Sequence, residues 1–136
     1  MFDYFVSLGF YTLTEFDLVK PTGEFYIEEC QWWDIVNLPP LILDHKEIIE
    51  EALKSLRLHL NNYPIGSKLL PEKFTLPEIH SLYETILGKK LDDRNFSKKL
   101  LATGIITKLT ERRYIGPHRS PFLYVFNKAK YDEAVY

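Results

Sequence analysis

The chain has 136 residues, 46% hydrophobic and 15% aromatic, enough for a packed core in one ordinary domain or two small ones, and this composition excludes a disordered chain. No apolar run approaches the ~20 residues that span a bilayer, and the start, MFDYFVSLGF, lacks the basic n-region and cleavage site of a signal peptide. One cysteine, Cys30, excludes an internal disulfide framework and fits a reducing cytoplasm. The net charge of −2 hides an asymmetry. Residues 1–70 hold five Lys/Arg against eleven Asp/Glu, a balance of −6, and residues 71–88 add −2. Residues 89–130 hold eleven Lys/Arg against three Asp/Glu, a balance of +8. A basic segment inside an acidic chain is the footprint of a polyanion-binding module; the bland alternative is a solvated basic face.

The first elements alternate. In FDYFVSLGFYTLT, Phe2, Tyr4, Val6, Leu8 and Phe10 share one side, a period of two that predicts a strand. KPTGE (20–24) is turn chemistry, and FYIEECQWWDI (25–35) reads as a second strand. The prolines of NLPPLILDH forbid a regular element, and Asp44 can cap a helix starting at His45. From His45 to His59 the pattern is helical: Ile48, Ile49, Ala52, Leu53, Leu56 and Leu60 form one stripe opposite Glu47, Glu50, Glu51, Lys54 and Arg57. Two strands and a helix leave apolar faces and strand edges uncovered, which predicts a homodimer through the N-terminal segment.

Lys46-Glu47-Ile48-Ile49-Glu50-Glu51 resembles the core of the Nudix signature, whose carboxylates on one helix face hold divalent metal. Three departures oppose it. Lys46 stands at the arginine position, Trp32 and Leu38 at the upstream glycine and glutamate, and Leu53 at the closing glycine. An amphipathic helix with a solvated acidic side is the preferred reading. His45, His59, His80 and His118 form no metal-ligand motif with Cys30, and no nucleophile elbow or phosphate-cradling loop is present. The expectation is no catalytic residue, no metal and no cofactor.

NNYPIGSKLLPEKF is a junction, with 67–70 expected as a short strand. Two helices come next. Thr75 and Glu78 make a capping box, Phe74 and Ile79 a hydrophobic staple, and Ile79, Leu82, Tyr83 and Ile86 an apolar stripe ending at Gly88. Asp92 caps the second helix, Leu91 and Phe96 repeat the staple, and Gly104 ends it. Phe96, Leu100 and Thr103 are expected to face inward; Arg94, Lys98, Asn95 and Ala102 face out, with Lys99 on a flank. GIITKLTERRYIGPHRSPFLYVFN reads as a hairpin, with Arg112, Arg113, His118 and Arg119 in its loop.

Helix, short connection, helix and basic hairpin is the plan of a winged helix-turn-helix, whose second helix enters the major groove of double-stranded DNA. Arginine can bond a guanine edge and asparagine an adenine edge, while lysines and wing arginines neutralise phosphates. Arg94 could instead pair with Glu111 or Asp92, and winged helices also serve as protein-binding modules.

WWDIVNLPPLILDHKEIIEEAL followed by YPIGSKLLPEKFTLPEIHSLYETILGKKLDDRNFSKKLLATGII resembles, in order and over nearly the whole chain, the C-terminal part of the Nudix-related transcriptional regulators, the NrtR-like family. The resemblance implies an α+β chain, with the end of a Nudix-like domain (two strands and a helix, 1–60) followed by a winged helix-turn-helix (61–136). It implies DNA contacts by Arg94, Asn95, Lys98 and Lys99, with wing help from Arg112, Arg113 and Arg119. It implies a fragment of a ligand-responsive regulator, with the segment bearing the Nudix signature upstream and absent, so that an effector, ADP-ribose or a sugar, would need that sensor half. A non-catalytic remnant of a Nudix hydrolase is the alternative. Asp93 stands where basic residues are common in the family and would oppose phosphate.

Overall fold

A computed structural model describes residues 6–14, 16–23, 29–60, 65–114, 116, 120–127 and 129–130. The chain divides into two compact units, Met1–Lys54 and Ser55–Tyr136.

In the first unit the structure corrects the expected strands. Residues 1–5 and 24–28 lie outside the described residues, and the described parts, 6–14 and 29–35, are not strands. Alternation decides which side of a ribbon each side chain takes. A strand forms only where a neighbouring segment meets its N–H and C=O groups. Among the described residues of this unit no segment pairs with either stretch, and Val6, Leu8 and Phe10 are 88%, 81% and 93% exposed. Local hydrogen bonds shape the path towards the first long helix. Phe16–Leu18 is a single 3-10 turn, and the Asp34 carboxylate accepts from the Val36 N–H at 2.9 Å. Leu43 turns the chain out of the prolines with φ of 53°, a conformation uncommon for a residue with a Cβ. Helix α1, His45–His59, then begins with the Ile48 N–H donating to the Asp44 carbonyl at 3.0 Å. Its acidic side is taken up locally: Lys54 lies 3.2 Å from Glu51 and Lys46 3.9 Å from Glu50.

The second unit opens with the last turn of α1, where Leu56 and Leu60 are buried. Residues 67–70, expected as a strand, instead close a 3-10 turn, Ile65–Lys68. The Gly66 carbonyl accepts from both the Leu69 and Leu70 N–H groups, at 3.1 and 3.0 Å. Gly66 is enclosed, and a Cβ there would meet Leu82 at 2.9 Å and Phe126 at 3.3 Å, so packing rather than β propensity sets the conformation. Next come helix α2, Leu76–Leu87, and helix α3, Asp93–Thr103. Strands β1, Ile106–Arg112, and β2, Phe122–Phe126, pair antiparallel with Ile106 opposite Phe126 and Lys108 opposite Tyr124. The register shifts between Lys108 and Arg112. Phe74 extends this sheet by one bridge to Tyr124, its N–H donating at 3.0 Å and its carbonyl accepting at 2.7 Å.

The core of this unit joins Leu60, Phe74, Ile79, Tyr83, Leu100, Ile106 and Tyr124, with Leu91, Phe96 and Phe126 packed around it. Both staples therefore close onto the same cluster. Each fully buried aliphatic or aromatic side chain contributes about 1.5–3 kcal/mol. The Tyr83 hydroxyl, whose burial pushes its pKa above the usual phenol value, donates to the Leu60 carbonyl at 3.0 Å. Ile79 is fully buried beneath α2. Ile79→Ala should lower unfolding free energy by about 2–5 kcal/mol, read from the urea midpoint, whereas Ser81→Ala on the exposed side of the same helix should leave it nearly unchanged.

Candidate nucleic-acid interface

Two carboxylates of α2 fix what lies at its ends. At the start, one Glu78 oxygen accepts from the Thr75 N–H at 2.7 Å and from the Thr75 hydroxyl at 2.9 Å. At the other end Gly88 takes φ of 65°, the left-handed conformation that stops the helix, and its N–H donates to the Glu84 carbonyl at 2.9 Å. The Glu84 carboxylate then spans the turn, accepting from the Leu91 N–H at 2.9 Å and from Lys90 at 2.8 Å. Those contacts hold Glu84 below the usual carboxylate range, the Lys90 hydrogen bond first and the Leu91 N–H next. Asp92 caps α3 by accepting from the Asn95 N–H at 2.9 Å, and Gly104, with φ of 71°, ends it.

Helix α3 is seated by Leu100, which is buried, and by Phe96, which meets Tyr83 and His80 edge-on with centroids 5.0 and 4.9 Å apart. Arg94, Lys98 and Ala102 are exposed on the opposite side, and Asn95 and Lys99 are exposed on a flank. Leu101, 40% exposed, joins that side, where the helical pattern gave no reason to single it out. Arg94, Lys98 and Lys99 make no ion pair among the described residues. The carboxylates that could have taken Arg94 are engaged elsewhere, Asp92 in the cap and Glu111 with Lys73 at 2.6 Å. Thr103 corrects an expectation. It is exposed, and its hydroxyl donates to the Leu100 carbonyl at 2.6 Å and accepts from the Ile105 N–H at 3.2 Å, closing the helix end instead of filling the core. Beside α3 lies a cleft of about 520 Å³ bounded by Leu87, Leu91, Phe96 and Leu100, with Asn95 and Lys99 also lining it. Asp93 lies 3.3 Å from His80 Nε2, so its carboxylate is directed towards α2.

The hairpin sorts the remaining predicted residues. Arg112 is exposed, stacks over the Phe122 ring at 3.8 Å, and donates from Nη1 to the Ser120 carbonyl at 3.3 Å. Arg113 is half-buried; it forms an ion pair with Glu78 and donates from Nη2 to the Lys73 carbonyl at 2.9 Å. Its guanidinium thus ties the hairpin to the start of α2. Arg119 and His118 lie outside the described residues. Lys108, absent from the sequence-based set, sits with Nζ 3.6 Å above the Phe122 ring. Its signal was available: a period of two puts Lys108 on the side of Ile106, across from the aromatic run of β2. Tyr114 is 81% exposed where β1 leaves the sheet. Among the described residues no three His, Cys, Asp or Glu gather as a metal site, and no helix is long and apolar enough to cross a membrane.

Residues 66–126 match the profile of the NrtR DNA-binding winged helix domain. The chain is similar to an ADPR responsive transcriptional repressor, NtrR, from Acinetobacter baylyi, with 29% identity over 92 residues, 68% of this chain and 36% of the relative. Crystal structures of Shewanella oneidensis NrtR are also similar. The complex with a 27mer DNA aligns at a TM-score of 0.53 with 26% identity over 68% of this chain and 42% of that one. A second NrtR structure aligns at 0.56 with 24% identity over 78% of this chain and 49% of that one, a likeness of fold. The chain thus spans about a third to a half of the length of these relatives.

The Glu78 contact carries a pH dependence. Partial burial pushes its carboxyl up, but the Thr75 N–H, Arg113 and the Thr75 hydroxyl together pull harder, leaving it below the ordinary value of 4.5. The stability it contributes is present above the unfolded carboxyl range and is lost as pH falls through the lowered folded value. Glu78→Gln should therefore destabilise the protein at pH 7. The gap from wild type should narrow steadily as pH drops below about 4.5, measured as urea midpoints across pH.

Proposed function

We propose that residues 66–126, which match the NrtR DNA-binding winged helix domain, act as a winged helix of that kind, and that this chain regulates transcription by gripping operator sites in double-stranded DNA. The observation that carries the proposal is the outward side of α3. Arg94 and Lys98 stand one turn apart, exposed and without a carboxylate partner among the described residues, on a helix whose ends and inner side are fixed. In this reading α3 enters the major groove, with Arg94 and Asn95 at base edges, Lys98 at a base edge or neighbouring phosphate, and Lys99 at the flanking backbone. Arg112 meets the backbone from the wing, with Arg119, seven residues further along the sequence, as a second wing cation. Arg113 serves by holding the wing against α2 through Glu78 rather than by touching DNA.

The same proposal extends to the wider protein. The similar repressor is named as ADPR responsive, and we propose that an effector of that kind, or a sugar, acts through a Nudix-like part of the protein. The chain acts by binding and not by catalysis, in the cytoplasm with the DNA it regulates. Glu50 and Glu51 of α1 are paired with its own lysines, Lys46 and Lys54. Turnover of ADP-ribose with magnesium by the pure chain would overturn the non-catalytic part. A homodimer through the first unit is favoured by its exposed apolar side chains, among them Phe10, Trp33, Val36 and Leu43.

Duplexes selected from a random pool, titrated at 50 and 200 mM salt and followed by anisotropy, test the central claim. Binding should weaken steeply with salt. Arg94→Ala should cost about 1–3 kcal/mol on the selected site and relax the base preference there, while Lys98→Ala should at least weaken binding to all duplexes. Absence of binding at low salt, or binding insensitive to salt, would refute the reading. Light scattering tests the dimer separately: twice the chain mass is expected at micromolar concentration, and a monomer there would refute it.

A further inference from the structure

We propose that Lys108, Phe122 and Arg112 form a phosphate-binding clamp on the wing, built to take phosphodiester oxygens of the DNA backbone. The inference rests on the DNA-binding reading above and adds a residue and a mechanism to it. Lys108 Nζ lies 3.6 Å, and the Arg112 guanidinium carbon 3.8 Å, from the centroid of the same Phe122 ring. The two cations therefore share one aromatic ring, neither farther than 3.8 Å from its centroid. Each face carries the negative part of the ring quadrupole and attracts a cation. Phe122 is itself packed against the core of the second unit, so the platform does not drift.

The ring holds together two charges that repel one another. The nearby acid that could neutralise them, Glu111, is committed to Lys73 at 2.6 Å. Arg112 is further oriented by the Ser120 carbonyl, which accepts from Nη1 at 3.3 Å and leaves the rest of the guanidinium fork available. Neither Lys108 nor Arg112 makes an ion pair among the described residues, and both are exposed. An anion lying across the edge of the ring would meet both cations and relieve their repulsion. Charge and exposure fit a phosphodiester, the anion that the DNA-binding reading already supplies. The register of the hairpin shifts between Lys108 and Arg112, the two residues that meet this ring.

The experiment uses the whole chain and a selected duplex, and reads the slope of log affinity against log salt for Lys108→Gln, Arg112→Gln, Phe122→Tyr and Phe122→Leu. Lys108→Gln and Arg112→Gln should each reduce the slope by about one and weaken all duplex sequences alike. Phe122→Tyr keeps an aromatic face and should keep the slope. Phe122→Leu keeps both cations but should weaken low-salt binding about threefold. Should Phe122→Leu unfold the wing by circular dichroism, the other three variants still decide the matter. An unchanged slope for Lys108→Gln, with Arg94→Ala still weakening binding, overturns the clamp and leaves the DNA-binding reading standing. Failure of the unaltered chain to show salt-dependent binding overturns both.

Discussion

The carboxylate of Glu78 is where three parts of the second unit meet. It receives the backbone N–H and hydroxyl of Thr75, which start α2, and the guanidinium of Arg113, which leaves the hairpin. The same Arg113 reaches on to the Lys73 carbonyl, next to the bridge between Phe74 and Tyr124. One side chain thus sets both the origin of a helix and the seat of a hairpin. Glu84 does the corresponding work at the far end, holding Leu91 and Lys90 across the turn into α3. The presenting side of α3 and the hairpin are therefore both referred to α2. Charge-assisted hydrogen bonds of this kind are stronger than neutral ones, and here they act on backbone N–H groups that a helix start and a turn would otherwise leave unpaired. The hydrophobic core supplies the cohesion; these two carboxylates supply the angles.

How much of this could be read from the chain depended on the range of the interaction. Caps, staples and glycine stops are written within five or six residues, and both Asp92 with Asn95 and Gly88 with Glu84 appear as expected. The hairpin was legible because β2 is a compact apolar run and turn residues separate it from β1. The partner of Arg113 was not legible, because Glu78 lies thirty-five residues away and its capping role already accounts for its position. The side of Lys108 is legible from a period of two, but a lysine on a strand ordinarily projects into water, and nothing local to the sequence says that its amine stacks on Phe122. The described parts of the strands expected near the N-terminus, 6–14 and 29–35, are not strands for a different reason. Alternation reports the intended faces of a ribbon and carries no information about which segment completes its ladder. Residues 67–70 show the same limit at smaller scale: the enclosure of Gly66 by Leu82 and Phe126 fixes a tight turn where propensity suggested extension.

Asp93 illustrates how a residue that looks wrong for a site acquires a reason from its surroundings. A carboxylate beside Arg94 opposes the approach of phosphate. Its charge nonetheless favours the first turn of α3, where the exposed N–H groups of a helix start carry partial positive charge. Its side chain lies near His80 Nε2, which also stands 3.1 Å from the Leu91 carbonyl, and His80 in turn meets Phe96 edge-on. Asp93 thus belongs to the attachment of α3 to α2 as much as to its outer surface. With 88% of its side chain exposed the pair contributes little energy, so its role is one of direction.

The charge distribution obeys the same division of labour. An overall charge of −2 describes neither half of the chain, since residues 1–70 carry −6 and residues 89–130 carry +8. Screening at physiological salt confines electrostatic attraction to about 8 Å, so a polyanion near α3 and the hairpin responds to the local positive charge and not to the sum. The acidic half then has a use in the proposed function. It is repelled from DNA and discourages docking by the wrong surface, which narrows the orientations in which an encounter is productive. Within the basic segment a further sorting operates. Glu111 is absorbed by Lys73 and Arg113 by Glu78, while Arg94, Lys98, Lys108 and Arg112 remain without a carboxylate among the described residues. Among the described residues of this segment, Lys73, Glu111, Glu78 and Arg113 pair internally, while Arg94 and Lys98 lie on one side of α3 and Lys108 and Arg112 at one ring of the hairpin. That segregation, more than the count of lysines and arginines, is what favours the proposed interface over a solvated basic face.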